Sequence, residues 1–178
     1  HNMLMIGAEV NPSYFRGGIL FGRLTRATFA DTAKIDSLHL QTFVPSYKRL
    51  GLAIKLGAGT ANNYVDLIYF RAWDKAKDSL FFSNDDGSKS LLPKSENAVF
   101  NIITSNKIGK YITIKAEYAL STTNVDRTLP KSKDSADASY PKIAGILMKP
   151  NKSAIGGHSA NAEFSFQKDG WSTNAGFK

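Results

Sequence analysis

The stretch NAVFNIITSNKIGKYITIKAEYAL, residues 97–120, decides the fold. In its second half Ile112, Ile114, Ala116, Tyr118 and Leu120 alternate with Thr113, Lys115, Glu117 and Ala119. Successive side chains of a strand point to opposite sides, so one face is apolar and the other carries a Lys and a Glu. Ile, Thr and Tyr suit a pleated backbone, and no Gly or Pro interrupts residues 111–120. The first half reads as the partner strand, with the polar Ser105-Asn106-Lys107 as the turn between them. In a soluble sheet the polar face looks into water; in an outer-membrane barrel it looks into the lumen.

The same alternation recurs on both sides of this hairpin. Residues 3–10 set Leu4, Ile6, Ala8 and Val10 against Met5, Gly7 and Glu9, until Asn11-Pro12-Ser13 breaks the pattern. Residues 14–25 place Phe15, Gly17, Ile19 and Phe21 opposite Arg16, Gly18, Leu20 and Gly22. Residues 50–57 alternate Leu52, Ile54 and Leu56 with Ala53, Lys55 and Gly57. Residues 63–73 are apolar on both sides apart from Asp66 and Arg71, so their facing stays open. Further on, residues 158–167 set Ala160, Ala162, Phe164 and Phe166 against Asn161, Glu163, Ser165 and Gln167. Lys168-Asp169-Gly170 is a turn signal, and residues 171–178 return as a last strand. About eight strands result, each near the length of a tilted membrane-crossing strand. Short turns alternate with long connections at 26–49, 74–96 and 121–156. That sorting favours a barrel whose short turns share one side of a membrane.

Composition narrows the alternatives. The chain has 178 residues, 42% apolar and 21% charged, which is enough for one domain over residues 1–178. No apolar run approaches the length of a membrane helix, whereas barrel strands hide their hydrophobicity in alternation. The absence of a basic-then-apolar leader reads as a chain that is mature, truncated or never exported. The formal charge of +8 permits contact with phosphates or acidic glycans. The Lys residues are concentrated between the strands, however, and no nucleic-acid-binding pattern accompanies them, so no nucleic-acid partner is expected. The chain has no Cys, which rules out a disulfide framework and thiol chemistry.

Taken together, the pattern resembles a bacterial outer-membrane β-barrel of the porin-like kind, across nearly the whole chain. The resemblance implies an all-β, antiparallel, up-and-down transmembrane barrel, a bacterial outer-membrane location, and the lipid bilayer and lipopolysaccharide as partners, alongside other outer-membrane proteins. It also implies that Tyr14, Tyr64, Trp73, Tyr111, Trp171 and Phe177, at the strand ends, form interfacial aromatic girdles. Both chain ends fall on the long-loop side, and the last residues are Phe177-Lys178 rather than a terminal aromatic. These departures point to a segment of a larger barrel, with strands missing at each end. Asp followed by Ser or Thr and a small or aliphatic residue resembles an O-glycosylation acceptor of some Gram-negative bacteria. It marks Thr32, Ser37, Ser79 and Ser135, all in long connections.

Chemical motifs are sparse. None of His1, His39 and His158 lies at ligand spacing with another His or a carboxylate, so no metal is expected. There is no nucleophile elbow, no phosphate-cradling loop and no credible pair of catalytic carboxylates, so neither an enzyme nor a cofactor is expected. What remains is the polar set opposite the apolar rows: Glu9, Arg16, Lys55, Lys115, Glu117, Asn161, Glu163, Asn174 and Lys178. Arg23, Asp66 and Arg71 join it on weaker alternation. In a barrel these residues line the lumen and tune which solutes pass; alternatively they pair across strands and fill a closed interior. The expected function is a non-enzymatic pore or transport/secretion component. The alternatives are a plugged scaffold barrel in a larger assembly, or a soluble β-barrel or sandwich that binds a lipid or glycan.

Overall fold

The computed structural model describes residues 3–28, 45–75, 80–83, 88–131, 148–168 and 171–177. Ten strands account for most of them: β1 (Leu4–Val10), β2 (Phe15–Thr25), β3 (Lys48–Gly59), β4 (Tyr64–Lys75), β5 (Phe81–Ser83), β6 (Lys89–Leu91), β7 (Glu96–Ile108), β8 (Ile112–Asn124), β9 (Ala154–Lys168) and β10 (Trp171–Phe177). Eight of these form one antiparallel sheet in the order β1-β2-β3-β4-β7-β8-β9-β10, a pure meander. β5 and β6 pair with each other inside the second long connection. The sheet is open. β1 and β10 are its two edges, and no pairing joins them among the described residues.

The hairpin at residues 96–124 is longer than the sequence suggests. Ser105, Asn106 and Lys107 do not turn the chain; they continue the ladder opposite Lys115, Ile114 and Thr113. The reversal lies three residues later, after the Ile108–Ile112 pair, where Gly109 adopts φ +62°. Only Gly takes that conformation at little cost, and it outweighs the turn preference of Ser and Asn. The strands also run on at the long-connection end: β3 starts at Lys48, β4 reaches Lys75, and β9 starts at Ala154. The β5–β6 pair was not legible either, because its three-residue strands are too short to show a period.

Register sorts every strand's side chains. Arg16 stands opposite Gly57, Gly57 opposite Asp66, Asp66 opposite Ile103, Ile103 opposite Glu117 and Glu117 opposite Asn161. Those six therefore share one face, here the polar face. Ile19, Ile54, Tyr69, Phe100, Leu120 and His158 share the other. The register also drifts. A row of paired residues starts at Phe15, beside its turn, passes Ala58, Val65, Thr104, Ala116 and Ala162, and ends at Phe177. Ala162 is in the middle of β9, far from the turn that follows Lys168. The shift falls between successive hairpins and averages about one residue per strand, or ~3.3 Å per ~4.8 Å of sheet.

The exposed apolar side chains fall mostly on one face. Leu4, Ile6 and Val10 of β1, Phe15, Ile19 and Phe21 of β2, and Leu56 of β3 are exposed. So are Val65 and Leu67 of β4, Ile114 and Tyr118 of β8, Phe164 of β9 and Phe177 of β10. Ile6 reaches 79% and Phe177 72%. All of these share the apolar face by register. Burial on that face is concentrated at the long-connection end, where Ala98, Leu120, Thr122 and Asn124 are buried, as are Tyr47 and Met148 from the connections.

Candidate functional site

The polar face carries a belt of charged and polar groups across adjacent rows. Its densest part lies on β1–β4. Arg16 donates from Nε to Asp66 Oδ1 at 2.7 Å and from Nη2 to Oδ2 at 2.9 Å, the two-pronged geometry that suits guanidinium and carboxylate. Lys55 donates to Glu9 Oε1 at 2.7 Å and lies 3.6 Å from Asp66 Oδ2. The Arg16 guanidinium also sits 4.2 Å from the centre of the Tyr64 ring. Asp66 is only 4% exposed, and these cations compensate its charge.

Both principal pairs skip a strand, and in each a glycine occupies the position between the partners. Gly57 stands between Arg16 and Asp66, and Gly18 stands between Glu9 and Lys55. A Cβ at Gly57 would run into the Asp66 carboxylate and come within 2.8 Å of the Val65 carbonyl oxygen. At Gly18 a Cβ would touch Glu9 at 3.7 Å. That is ordinary contact, so it is Gly57 whose missing side chain clears a path over the middle strand, a close-approach role quite different from a turn.

The belt continues more loosely to the right. Asn101 donates to Glu117 at 2.6 Å, while Lys115 lies 4.0 Å from Glu163 with both side chains about half exposed. Above the belt, a cleft of ≈ 360 Å³ opens over Gly7, Gly18, Leu20, Ala53, Lys55 and Ile68.

Seven of the residues predicted to line a lumen, Glu9, Arg16, Lys55, Lys115, Glu117, Asn161 and Glu163, share this face. Asn174 stands in register with Ser165, two residues along β9 from Glu163. Asp66 joins them as the hub of the belt. Arg23 and Arg71 do not: register places both on the apolar face, Arg23 opposite Leu50 and Arg71 opposite Leu52. Thr32, Ser37, Ser79, Ser135 and Lys178 lie outside the described residues.

The aromatic residues divide similarly. Tyr14, Tyr64, Tyr111 and Trp171 all stand beside the short turns. Tyr64, however, faces the polar side with Arg16 above it, because it shares the parity of Asp66. Tyr111 lies 6.4 Å from Phe166, with the Lys168 ammonium 5.7 Å from its ring. Trp73 is on the apolar face near the opposite end, 6.5 Å from Phe21. Phe177 ends β10 but stands at mid-height, because β10 covers only the turn-side half of β9.

A second charged group sits at the long-connection end and was not visible in the sequence. Glu96, at the start of β7, is buried; it accepts hydrogen bonds from Arg71 and lies 3.3 Å from Arg127 Nε. On the polar side Ser95 donates from its backbone N–H and its hydroxyl to Asp74, and Arg49 donates to the Ser95 hydroxyl at 2.8 Å. Arg127 arrives from a connection far along the chain, and alternation carries no information about such a partner. Among the described residues no cluster of His, Asp and Glu could hold a metal ion. No family model, curated protein or solved structure matches the chain.

Proposed function

We propose that this sheet is the wall of a bacterial outer-membrane β-barrel, with its apolar face to lipid and its polar face to a lumen. In this reading the protein is a non-enzymatic pore or transport component. One observation carries it: exposed apolar side chains run across one face of the sheet from β1 to β10, while the opposite face pairs its charges in a belt. An apolar face of that extent has to be covered, and lipid covers it without a second protein layer. The stagger supports the same reading. An offset of about one residue per strand tilts the strands by ~35° from the normal to a plane through the short turns, which is the range of barrel walls.

In the lumen, Arg16, Lys55, Lys115, Asp66, Glu117 and Glu163 present alternating signs to a passing solute. Such rings admit polar solutes and set charge preference. Long connections at the opposite end would face the exterior and meet lipopolysaccharide or other outer-membrane proteins.

The test is reconstitution of the detergent-purified protein in a planar bilayer. Discrete conductance steps, with ion preference altered by Lys55→Glu, are the expected result. A monomer that stays dispersed in plain buffer overturns the membrane reading. Insertion without conductance overturns the pore and leaves a plugged scaffold.

A further inference from the structure

We propose that the apolar face carries, at its long-connection margin, a binding site for the phosphate-bearing headgroup of an amphiphile; the site rests on the membrane reading above. A cleft of ≈ 500 Å³ opens there, lined by Leu50, Trp73, Asp74, Lys75, Lys94, Arg127 and Thr128. Register puts Leu50, Trp73 and Lys75 on the apolar face, so the cleft sits where apolar surface gives way to charge. Below it run Leu52, Ile54 and Phe21, an apolar strip for an acyl chain.

The charges at this margin do not balance as those of the polar belt do. Lys48 and Lys75 stand directly opposite each other at the ends of β3 and β4, both exposed. Like charges in that position oppose pairing. Lys94 contributes a third ammonium, seated 5.5 Å from the Tyr47 ring. Glu96 is already shared between Arg71 and Arg127, and Asp74 is engaged by Ser95 and Arg49. Arg23, in register with Leu50, has a buried Nε with no acceptor among the described residues. Cations exceed acids here, beside an indole ring and above an apolar strip. A phosphomonoester supplies the missing negative charge and several acceptors, and its attached chain covers the strip.

Trp73 makes the site readable. The chain has two Trp, so Trp171→Phe leaves Trp73 as the sole emitter. The variant is reconstituted in phosphatidylcholine vesicles that contain a minor share of bromine-labelled phosphatidic acid or, in parallel, of bromine-labelled phosphatidylcholine. Deeper quenching by the acid is expected. That preference should fall by about fivefold for each lysine removed in Lys75→Gln and Lys75→Gln/Lys94→Gln. Neither lysine forms an ion pair among the described residues, so both variants are expected to fold. Equal quenching by the two lipids, or a preference unchanged by the substitutions, overturns the site alone. A preference erased by millimolar inorganic phosphate at constant ionic strength shows a free-anion site and overturns the amphiphile assignment. No quenching by either lipid overturns the membrane reading and the site with it.

Discussion

The two faces of this sheet use the same residue types in opposite ways. On the polar face, the charges of the belt sit inside the strand array beside an opposite charge or an amide, and Gly57 leaves the gap through which Arg16 meets Asp66 across β3. On the apolar face, charge is concentrated at the long-connection margin, where cations are in excess, and most of the remaining positions are apolar, with Lys168 beside a short turn as an exception. The difference shows that position decides what a charge is for. Where the belt is buried, as at Asp66, an ion must be neutralised locally; at the margin the proposal leaves the excess cations to something outside the chain.

Moving a cation from one face to the other is the strongest way to break this comparison. Ile54 and Ala53 are adjacent on β3 but point to opposite faces, with Ala53 on the rim of the polar-face cleft. If the apolar face meets lipid, Ile54→Arg near mid-height should cost about 2–4 kcal/mol and Ala53→Arg markedly less. Denaturant titration of folding into bilayer vesicles measures both. Equal costs would mean that the faces are not lipid and water, and the proposed orientation would be lost.

A smaller effect tests the glycine path. Gly57→Ala puts a methyl group against the Asp66 carboxylate and near the Val65 carbonyl, so either the ion pair or the β3–β4 ladder has to move. Overpacking of this kind costs about 1–3 kcal/mol. A neutral result by the same titration would show that Arg16 and Asp66 do not depend on the gap over β3.

How far the sequence could reach follows from the same contrast. The two faces were legible wherever polar and apolar residues alternate, as in β8 and β9, because a period of two leaves no second assignment. They were not legible in β4, where Ile68 and Phe70 share the polar face with Asp66 while Arg71 shares the apolar one. Only the register to β3 and β7 separates them. In the β7–β8 hairpin, Ser105-Asn106-Lys107 has the stronger turn composition, yet it is Gly109 that supplies the positive φ. In the sequence Asp66 is an isolated charge, since its partners Arg16 and Lys55 come from two other strands. The basic margin depends on Lys94 and Arg127, from separate connections, and no local pattern brings them together.

The smallest expected effect concerns the right-hand end of the belt, and it sharpens the rule about neutralisation. Lys115 and Glu163 are in direct register, yet their charged atoms stand 4.0 Å apart and both side chains are largely open. Solvent can compensate either charge alone, and holding two long side chains together costs entropy. Lys115→Ala should therefore change stability by no more than about 0.5 kcal/mol, with little dependence on whether Glu163 is also replaced. A double-mutant cycle on Lys115 and Glu163 measures the coupling directly. A coupling above ~1 kcal/mol would show that water is excluded from the polar face around this pair, and would shift the proposal from an open pore toward a filled interior.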